Sequence, residues 1–486
     1  MSELPKGWKQ VEIGDVSKVV SGGTPKASIS ENFCKPSDGG HAWLTPADLS
    51  GYKQKMISHG KRNITDKGLK ESSAKLMPEG SILFSSRAPI GYVAIAENEI
   101  ATNQGFKSFV FTDEVEPSYA YYYLKSIRDL AESWGTGTTF KELSSAKARK
   151  LPFIYPSIDE QKRIADKLDS VLAKVEAAQA RLDKIPAILK RFRHSVLAAA
   201  TSGELTKDWR KQNTTCQWNL EKLKETIYQN WLVEREKEFL RKGKHPKTKT
   251  WLSKFPKVEP QLLIDKNWVQ LSLQNIAEVI DPNPSHRMPK YVADGIPFIS
   301  SENILAIDKL NFEKGKKITL EEVEKQRTRY EIKSGTFAFT RIGTIGKSVL
   351  LPKTHDYGIS HAMAVVNPYR EVVDSTYLIW VMNCESILNQ ALHGVQSVGV
   401  PDLGIGKMKD FKIPLPPLEE QQEIVSKIHK FFEHANTVEI QYNSAKIRLD
   451  KLTQSILMKA FKGELLPSSV DSHIEAIENS VETLNA

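Results

Sequence analysis

The hydrophobic residues between Ser157 and Ala200 recur at alternating steps of four and three, with polar residues between them. This spacing predicts a long helix with one narrow apolar stripe, as in coiled coils. The same pattern returns 260 residues later, the separation of Glu160 and Glu420, without insertion or deletion. The chain therefore contains two copies of one long helix. Their stripes are Ile164, Leu168, Val171, Val175, Ala178, Leu182, Ile185, Leu189, Phe192 and Val196, and Ile424, Ile428, Phe431, Ala435, Val438, Tyr442, Ala445, Leu449, Leu452 and Ile456.

The sequence also marks where these helices begin and end. Ser157 and Glu160 have the spacing of a capping box, in which each side chain bonds a backbone amide of the first turn. Gly203 and Gly463 stand where a left-handed residue closes the C-terminus of a helix. Pro186 interrupts only the first helix. We expect a kink there rather than a break, because the stripe resumes in register.

Each narrow stripe needs an apolar partner. A helix of about 40 residues is about 60 Å long, which is too long for an ordinary core helix. We expect the two helices to pack against each other as an antiparallel pair that forms a rigid spacer. The alternative is that each stripe separately mediates dimerisation with a second copy of the chain.

A globular region precedes each helix, and the duplication extends into both regions. Trp8 and Trp268 open the two repeats, again 260 residues apart, and Gly80 to Phe84 matches Gly335 to Phe339. The intervening residues diverge, as two recognition modules with different targets require. We predict an α+β fold with an internal pseudo-twofold repeat. Apolar runs and periodicity predict strands at 81–85, 91–96, 106–111, 335–340 and 347–351, and helices at 119–132 and 375–392.

The segment between the first helix and the second repeat has no counterpart after the second helix. It contains a predicted helix at 220–241 and a basic tract interleaved with Trp251 and Phe255. A solvated linker and a contact to DNA backbone or to a partner subunit both fit this composition. The basic tract is Arg241, Lys242, Lys244, Lys247, Lys249 and Lys254. The predicted segments are globular regions at 1–155 and 263–415, spacer helices at 156–205 and 416–465, the linker at 206–262 and a polar tail at 466–486.

Composition narrows the classes of partner and compartment. The net charge of +9 and the pI near 9.0 favour a polyanionic partner without identifying it. Cys34, Cys216 and Cys384 lie far apart and outside any Cys/His cluster, which argues against a disulfide framework and a zinc site. No apolar run of about 18 residues and no signal-peptide core occur in the sequence. We therefore expect a cytoplasmic protein that does not associate with membranes.

The candidate catalytic motifs in the sequence are all incomplete. Gly343 to Ser348 resembles the end of a phosphate-binding loop, but Arg341 stands where its first glycine is required. Asn367-Pro368-Tyr369 matches only part of an amino-methyltransferase motif, and no glycine-rich cofactor loop precedes it. The histidines His194, His361 and His393 have no carboxylate or thiol at ligand spacing. We expect neither a catalytic site nor a metal or cofactor site in this chain.

Two pairs of motifs carry a family resemblance that covers nearly the whole chain. Helix entry reads Pro-Leu-Pro-Pro-Leu-Glu-Glu-Gln-Gln-Glu-Ile at 414–424 and Pro-Ser-Ile-Asp-Glu-Gln at 156–161. Helix exit reads Ile-Leu-Met-Lys-Ala-Phe-Lys-Gly-Glu-Leu at 456–465 and Ser-Val-Leu-Ala-Ala-Ala-Thr-Ser-Gly-Glu-Leu-Thr at 195–206. With the order globular region, helix, globular region, helix, the chain resembles the specificity subunit of type I restriction-modification enzymes.

This resemblance implies a non-catalytic DNA-binding protein. Each globular region would be a target-recognition domain that reads one half of a split, asymmetric site. The helices would set the spacing and dock two DNA-methylation subunits, which use S-adenosylmethionine, and two ATP-dependent, Mg-requiring restriction subunits would complete the complex. The alternative is a coiled-coil scaffold or a dimeric protein-interaction module without sequence-specific DNA binding.

Polar and basic residues next to the matched strands are the candidates for DNA contact. Arg pairs bidentately with guanine and Asn or Gln with adenine, whereas Ser, Thr and Lys more often hold phosphate. The candidates are Ser85, Ser86, Arg87, Asn103, Gln104 and Lys107 in the first region, Thr340, Arg341, Lys347, Ser360 and His361 in the second, and Thr136, Thr138, Thr139, Lys141 and Ser397 in the loops before the helices. For helix pairing or subunit docking they are Ile164, Leu168, Val175, Leu182, Leu189, Ile424, Ile428, Phe431, Tyr442, Leu449 and Leu452.

Overall fold

The chain folds into two compact units. The computed structural model describes residues 4–87, 89–137, 141–246, 248–264, 267–285, 288–395 and 399–464. Unit 1 comprises residues 1–185 and 440–486, and unit 2 comprises residues 186–439. The boundary between the units lies within the long helices and not at their ends. Each unit therefore combines one globular region with a segment of each long helix.

Unit 1 is built on a mixed sheet whose strands follow the order β2-β10-β7-β8-β5. Its strands are β1 (Lys9–Glu12), β2 (Ser17–Ser21), β3 (Phe33–Cys34), β4 (Ala42–Leu44), β5 (Met56–Ile57), β6 (Asn63–Ile64), β7 (Ile82–Ser86), β8 (Ile90–Ala96), β9 (Ile100–Thr102), β10 (Lys107–Phe111) and β11 (Pro152–Tyr155). Its helices are α1 (Asp66–Lys70), α2 (Pro117–Ser126), α3 (Arg128–Ser133), α4 (Ser145–Arg149) and α5 (Ile158–Leu182). Phe84 and Phe109 of this sheet pack edge to face, as do the buried rings of Tyr119 and Phe153.

Unit 2 repeats this architecture with the order β14-β22-β19-β20. Its helices are α6 (Ile185–Ser202), α7 (Lys207–Gln212), α8 (Leu220–Arg241), α9 (Leu273–Ile276), α10 (Leu320–Arg327), α11 (Ser375–Met382), α12 (Glu385–His393) and α13 (Ile405–Lys409). Its strands are β12 (Gln261–Leu263), β13 (Trp268–Ser272), β14 (Ala277–Ile280), β15 (Tyr291–Ile299), β16 (Ile304–Ala306), β17 (Lys309–Leu310), β18 (Lys316–Ile318), β19 (Phe337–Thr340), β20 (Ser348–Leu350), β21 (Gly358–Ile359), β22 (Met363–Pro368) and β23 (Lys412–Leu415). Helix α14 (Leu418–Ala460) contributes to both units.

The two sheets have equivalent strands in equivalent places. Strands β2, β10, β7 and β8 correspond to β14, β22, β19 and β20. Each unit also contains a short parallel pair, β4 with β9 and β15 with β21. The predicted α+β class and the internal repeat are confirmed.

The two helices predicted inside the globular regions are each divided in two. The segment predicted at 119–132 forms α2 and α3, and the segment predicted at 375–392 forms α11 and α12. In the second case Asn383 ends α11, and its side-chain amide donates to the carbonyl of Ile379 at 2.6 Å. This bond replaces the next backbone bond of the helix, so α12 starts afresh at Glu385.

The residues that are identical at the two helix entries make the same tertiary contacts. Trp8 Nε1 donates to Glu160 at 3.3 Å, and Trp268 Nε1 donates to Glu420 at 2.9 Å. The predicted capping box at Ser157 is wrong, because the Ser157 side chain makes no cap bond. Glu160 is therefore retained in both copies for the tryptophan that opens each repeat.

A buried glutamine completes each helix entry. Gln161 accepts from the Glu116 amide at 2.9 Å and donates to the carbonyls of Glu114 and Pro156. Its equivalent, Gln421, accepts from the Asp374 amide at 2.7 Å and also donates to two carbonyls. Both side chains are fully buried. Each glutamine thus ties the start of a long helix to the loop before α2 or α11.

The first long helix is interrupted and the second is continuous. Helix α5 ends at Leu182 and α6 begins at Ile185, so Pro186 breaks the helix rather than kinking it. Proline has no amide hydrogen to bond the carbonyl four residues earlier, and Gln179 donates to Asp183 in the turn at 2.8 Å. Gly203 and Gly463 have the expected left-handed conformation, with φ of 82° and 73°.

Within unit 2 the two helices are antiparallel. Thr206 Oγ1 donates to Glu420 at 2.6 Å, whereas Arg193 donates to Glu439 at 2.7 Å. Residue numbers therefore increase along one helix in the direction in which they decrease along the other. This arrangement favours the intramolecular pair over separate dimerisation. Among the predicted stripe residues, Leu168, Val175, Leu182, Leu189, Ile424, Ile428 and Leu449 are buried, and Ile164, Tyr442 and Leu452 are half-buried. Phe431 is 39% exposed, and its ring meets Phe192 of the other helix edge to face at 6.0 Å between centroids, which agrees with its prediction as a helix-pairing position.

Candidate nucleic-acid interface

Equivalent loops meet at the same end of the sheet in both units. In unit 1 the Leu143 amide donates to the Ser86 carbonyl at 2.9 Å, and in unit 2 the Leu403 amide donates to the Arg341 carbonyl at 2.9 Å. Leu143 and Leu403 are 260 residues apart in the sequence. Ser86 and Arg341 therefore occupy equivalent positions, and each lies at or just beyond the end of a central strand.

The next pair of positions differs in chemistry. Arg87 forms a bridge with Glu142, and Ile342 forms the equivalent bridge with Asp402. The two arginines that look similar in sequence, Arg87 and Arg341, are thus one position apart in the structure. One backbone arrangement presents different side chains in the two units.

Unit 1 gathers its candidates around Glu142. Lys107 Nζ lies 3.5 Å from the Glu142 carboxylate, and Arg87 Nη1 lies 4.0 Å from it. Backbone bonds of 2.9 and 3.0 Å hold Thr136 beside the same residue. Arg87 is partly exposed, and Thr136 and Lys141 are exposed. The structure therefore brings Arg87, Lys107, Thr136 and Lys141 to one loop cluster, with Lys107 mostly buried beneath it.

The serines of unit 1 have internal roles. Ser85 Oγ donates to the Pro89 carbonyl at 2.7 Å and accepts from the Tyr92 amide at 2.8 Å. Ser85 and Ser86 are both fully buried. Their prediction as surface contacts is wrong for this conformation, because the turn between β7 and β8 folds over them.

The turn at Asn103 lies next to this loop cluster. Asn103 Oδ1 accepts from the Gly105 amide at 2.9 Å, which fixes the turn. The Gly105 carbonyl accepts from the Ser86 amide at 2.7 Å. Gln104 is exposed at the tip, and its side-chain oxygen accepts from Thr24. Gln104 is therefore presented to solvent and Asn103 shapes the loop that presents it.

Arg341 is the most constrained candidate of unit 2. It is only 2% exposed, its Nη2 lies 2.9 Å from Asp281 and its Nη1 lies 3.2 Å from Asp402. Both terminal nitrogens are thus engaged by carboxylates, so Arg341 cannot offer a bidentate pair to guanine in this conformation. The prediction of a surface base contact is wrong here. Arg341 instead joins the loops that carry Asp281 and Asp402.

The other candidates of unit 2 separate into buried and exposed groups. Thr340 Oγ1 accepts from the Lys347 amide at 2.9 Å and closes the turn between β19 and β20. Ser360 accepts from the Ala362 amide at 3.2 Å. Thr340 and Ser360 are buried, contrary to prediction, whereas Lys347 is exposed and His361 is partly exposed. Thr138, Thr139 and Ser397 lie outside the described residues.

Sequence reasoning missed the carboxylates at the centre of both loop clusters. Glu142 and Asp402 are 42% and 43% exposed, and each contacts a basic side chain. Each precedes the leucine that is repeated at 143 and 403. That repeated acidic-leucine pair was the signal that could have identified them.

No group of three or more His, Cys, Asp or Glu side chains in the described part of the chain is arranged to hold a metal ion. None of the described helices combines the length and the apolar composition that are needed to cross a membrane.

The chain is similar over almost its whole length to known proteins. It is 26% identical to the type I restriction enzyme MjaIX specificity subunit of Methanocaldococcus jannaschii, over 96% of this chain and 95% of that one. It is 27% identical to the EcoDI specificity subunit of Escherichia coli, over 95% and 90%. The crystal structure of the HsdS subunit from Thermoanaerobacter tengcongensis has a similar fold, with a TM-score of 0.55, 16% identity and coverage of 95% and 98%.

The family profile described as the type I restriction modification DNA specificity domain matches the chain twice, at residues 5–187 and 265–445. The two matches coincide with the two repeats seen in the sequence and in the sheets. Specificity subunits of these systems bind DNA and assemble with other subunits, and they are not themselves the enzymes. Because the matches cover most of its length, this chain belongs to the family of type I restriction-modification DNA specificity subunits.

Proposed function

We propose that each unit of this chain reads one half of a bipartite, asymmetric DNA site. The observation that supports this most strongly is the loop cluster built twice on one backbone plan with different side chains, Ser86 and Arg87 against Arg341 and Ile342. Two identical clusters would suit a palindrome, because equivalent surfaces read equivalent bases. Divergent clusters suit two unlike half-sites.

The exposed polar residues of the clusters are the proposed DNA contacts. In unit 1 these are Arg87, Gln104, Thr136 and Lys141, and in unit 2 they are Lys347 and His361. Arg87 and Gln104 have the geometry for base edges, whereas Thr136 and the lysines suit phosphate oxygens. The buried candidates Ser85, Ser86, Lys107, Thr340, Arg341 and Ser360, together with the half-buried Asn103, then position the loops.

The long helices are proposed to set the distance between the half-sites and to dock the partners. Half-sites read from one face of the duplex lie about 34 to 36 Å apart, which a stiff helix pair can fix. The proposed partners are two DNA-methylation subunits that bind S-adenosylmethionine, and two restriction subunits that use ATP and Mg. The chemistry on DNA would take place in those subunits.

Mapping methylated adenines in host DNA tests this proposal. Cells with the wild-type chain should show one split recognition sequence, and cells without the chain should lose that methylation.

Arg87→Ala should relax one half of the sequence and Lys347→Ala should weaken methylation through the other half. Lys309→Ala is the matched control, because Lys309 is exposed on the hairpin whose Ile307 carbonyl accepts from the Leu350 amide of β20, opposite Phe337 at the far end of β19. An unchanged recognition sequence in both test variants would contradict the residue assignments. Methylation that does not depend on the chain would contradict the function.

A further inference from the structure

The segment expected to be a linker is an integral part of unit 2. Leu223, Ile227 and Trp231 of α8 are at most 5% exposed and belong to the main hydrophobic core of that unit. The Trp231 ring lies 5.7 Å from Trp251 and 5.2 Å from Phe255, measured between centroids. These contacts fix both α8 and the following turn. We call residues 220–255 the insert.

Ion pairs also tie the insert to the globular region of unit 2. Lys333 Nζ bonds the Glu234 carboxylate of α8 and lies 3.9 Å from Glu278 of β14. Asn230 donates to Glu371 at 2.6 Å. Helix α8 is therefore held against the globular region by polar contacts as well as by its core residues.

A cleft of about 370 Å³ lies between the insert, β14 and α13. Its wall includes Asp281, the residue that holds Arg341 in the loop cluster, together with Lys254 of the insert, Arg329, and Lys409 of α13. The cleft thus adjoins the loop cluster of unit 2 through Asp281.

The acidic groups of the cleft already have cationic partners. Glu234 and Glu278 share Lys333, Glu238 pairs with Arg235 and Lys242, and Asp281 pairs with Arg341. Burial alone would raise the pKa of Glu238. The neighbouring cations Lys242 and Arg235 outweigh this effect, so the pKa is lowered and the carboxylate stays ionised.

Three cationic side chains of the cleft are not paired with a carboxylate among the described residues. Lys254 and Lys409 make no ion pair with any of the residues that the structure describes. Arg329 donates to the neutral carbonyl of Pro282 at 2.8 Å, which leaves its charge uncompensated. The rim beside the loop cluster is therefore net positive, as a contact to DNA phosphates requires.

From this geometry we infer that the insert and α13 form a second DNA-binding surface, which contacts the sugar-phosphate backbone next to the half-site read by unit 2. Lys254, Arg329 and Lys409 would face phosphates and not bases, so this surface adds affinity without sequence preference. This inference rests on the proposed function. Because no equivalent of the insert occurs among the described residues of unit 1, the protected DNA should extend further beside one half-site than beside the other.

The test compares two double variants of the full chain, assembled with the methylation subunits of its system. Lys254→Glu/Lys409→Glu reverses two cations of the rim. Lys309→Glu/Lys314→Glu makes the same charge change at two exposed lysines beside β16 and β17, at the other end of β19. The measurements are the affinity for specific and for scrambled duplexes between about 50 and 200 mM salt, and hydroxyl-radical footprints.

If two phosphate contacts are lost, the slope of log K against log salt should become shallower by about 2, equally for both duplexes. The footprint should shorten on one flank only, and the preference for the specific duplex should be retained. The control should keep the wild-type slope and footprint.

A rim variant with the wild-type slope and footprint, or a control that changes as much, would overturn this inference while leaving the proposed function intact. A wild-type complex that does not distinguish the two duplexes would instead overturn the proposed function. Lys254→Gln/Lys409→Gln, which introduces no new negative charge, should give the same direction of change.

Discussion

At the scale of single residues, Arg341 shows how burial changes the role that a basic side chain can have. Sequence alone places it beside a strand as a base-reading arginine. In the structure its two ion pairs connect Asp281 and Asp402, and its carbonyl accepts the Leu403 amide at 2.9 Å. Its contribution to recognition is therefore to fix the loops that carry the exposed residues.

We expect Arg341→Ala to destabilise unit 2 by about 3 kcal/mol, because it removes the buried ion pair between Arg341 and the mostly buried Asp281. Hydrogen exchange at the Leu403 and Gly343 amides should accelerate, since both are anchored by backbone bonds of this loop junction. The measurements are thermal unfolding and exchange followed residue by residue. Arg341→Lys should recover part of the stability. If Arg341→Ala kept wild-type stability and changed only the base preferred in one half-site, direct reading by Arg341 would be correct after all.

Glu278 provides a test of the buried charges around the insert. Burial raises its pKa, the charge of Glu234 raises it further, and Lys333 and Asn367 offset this only in part. The folded state therefore holds this proton more tightly than the unfolded chain. As pH rises from the ordinary carboxyl value of 4.5 through the raised pKa, stability should be lost.

Glu278→Gln should abolish that loss while still accepting the hydrogen bond from Asn367. The variant should be more stable than wild type by about 1 kcal/mol at about pH 8 and no more stable at about pH 4. Unfolding midpoints across this range measure the effect. The exposed Glu324→Gln serves as the control and should leave the pH profile unchanged. A Glu278→Gln profile parallel to the wild type would show that Glu278 is not strained by burial.

At the scale of elements, periodicity located the long helices and the central strands but not the breaks in the helices or their contacts. The stripe from Leu168 to Leu189 was predictable because burial of one helix face leaves a mark every three or four residues. Glu160 was misread as a cap, since its bond to Trp8 spans 152 positions and no local pattern encodes it. The exposure of Phe431 was equally invisible, because it depends on how closely two helices approach.

The candidate site shows the same division. The loops next to the matched strands lie close together in the structure, but which of their side chains point outward is decided by the turns. Thr340 and Lys347 belong to one turn, and the first is fully buried while the second is exposed. A sequence pattern cannot separate them, because both are polar residues beside an apolar strand.

Pro186 gives a prediction at the level of one helix. Leu182 and Ile185 are both buried and three residues apart, so a continuous helix would keep them on one face. Pro186→Ala should join α5 and α6, with more helical circular dichroism and an unfolding free energy equal to or above that of the wild type. Lys446→Pro, at the equivalent position of the continuous helix α14, should cost about 3 kcal/mol. A clear loss of stability in Pro186→Ala would mean that the break itself is required.

At the scale of the whole molecule, the repeat explains why one chain can recognise two unlike half-sites. Both units use the same strand order and the same helix-entry contacts, Trp8 with Glu160 and Trp268 with Glu420. The scaffold is therefore constrained twice by the same tertiary bonds, while the loop clusters at the sheet ends are free to diverge. The insert adds a further asymmetry, because it is fixed to unit 2 alone.

If the helices set the spacing of the half-sites, lengthening both should lengthen the unread gap. Seven residues preserve the register of the stripe and add about 10 Å to a helix, which corresponds to about 3 base pairs of duplex. A heptad inserted in α5 must be matched by one in α14, because the helices are antiparallel and a single insertion would misalign their stripes. Adenine methylation mapped in cells should then show the same two half-sequences, separated by about three more base pairs. Two-residue insertions at the same places turn the stripes by about 200°, to the opposite side of the helix, and should abolish methylation. An unchanged gap in a folded and active heptad variant would show that the spacing is set by contacts other than the helices.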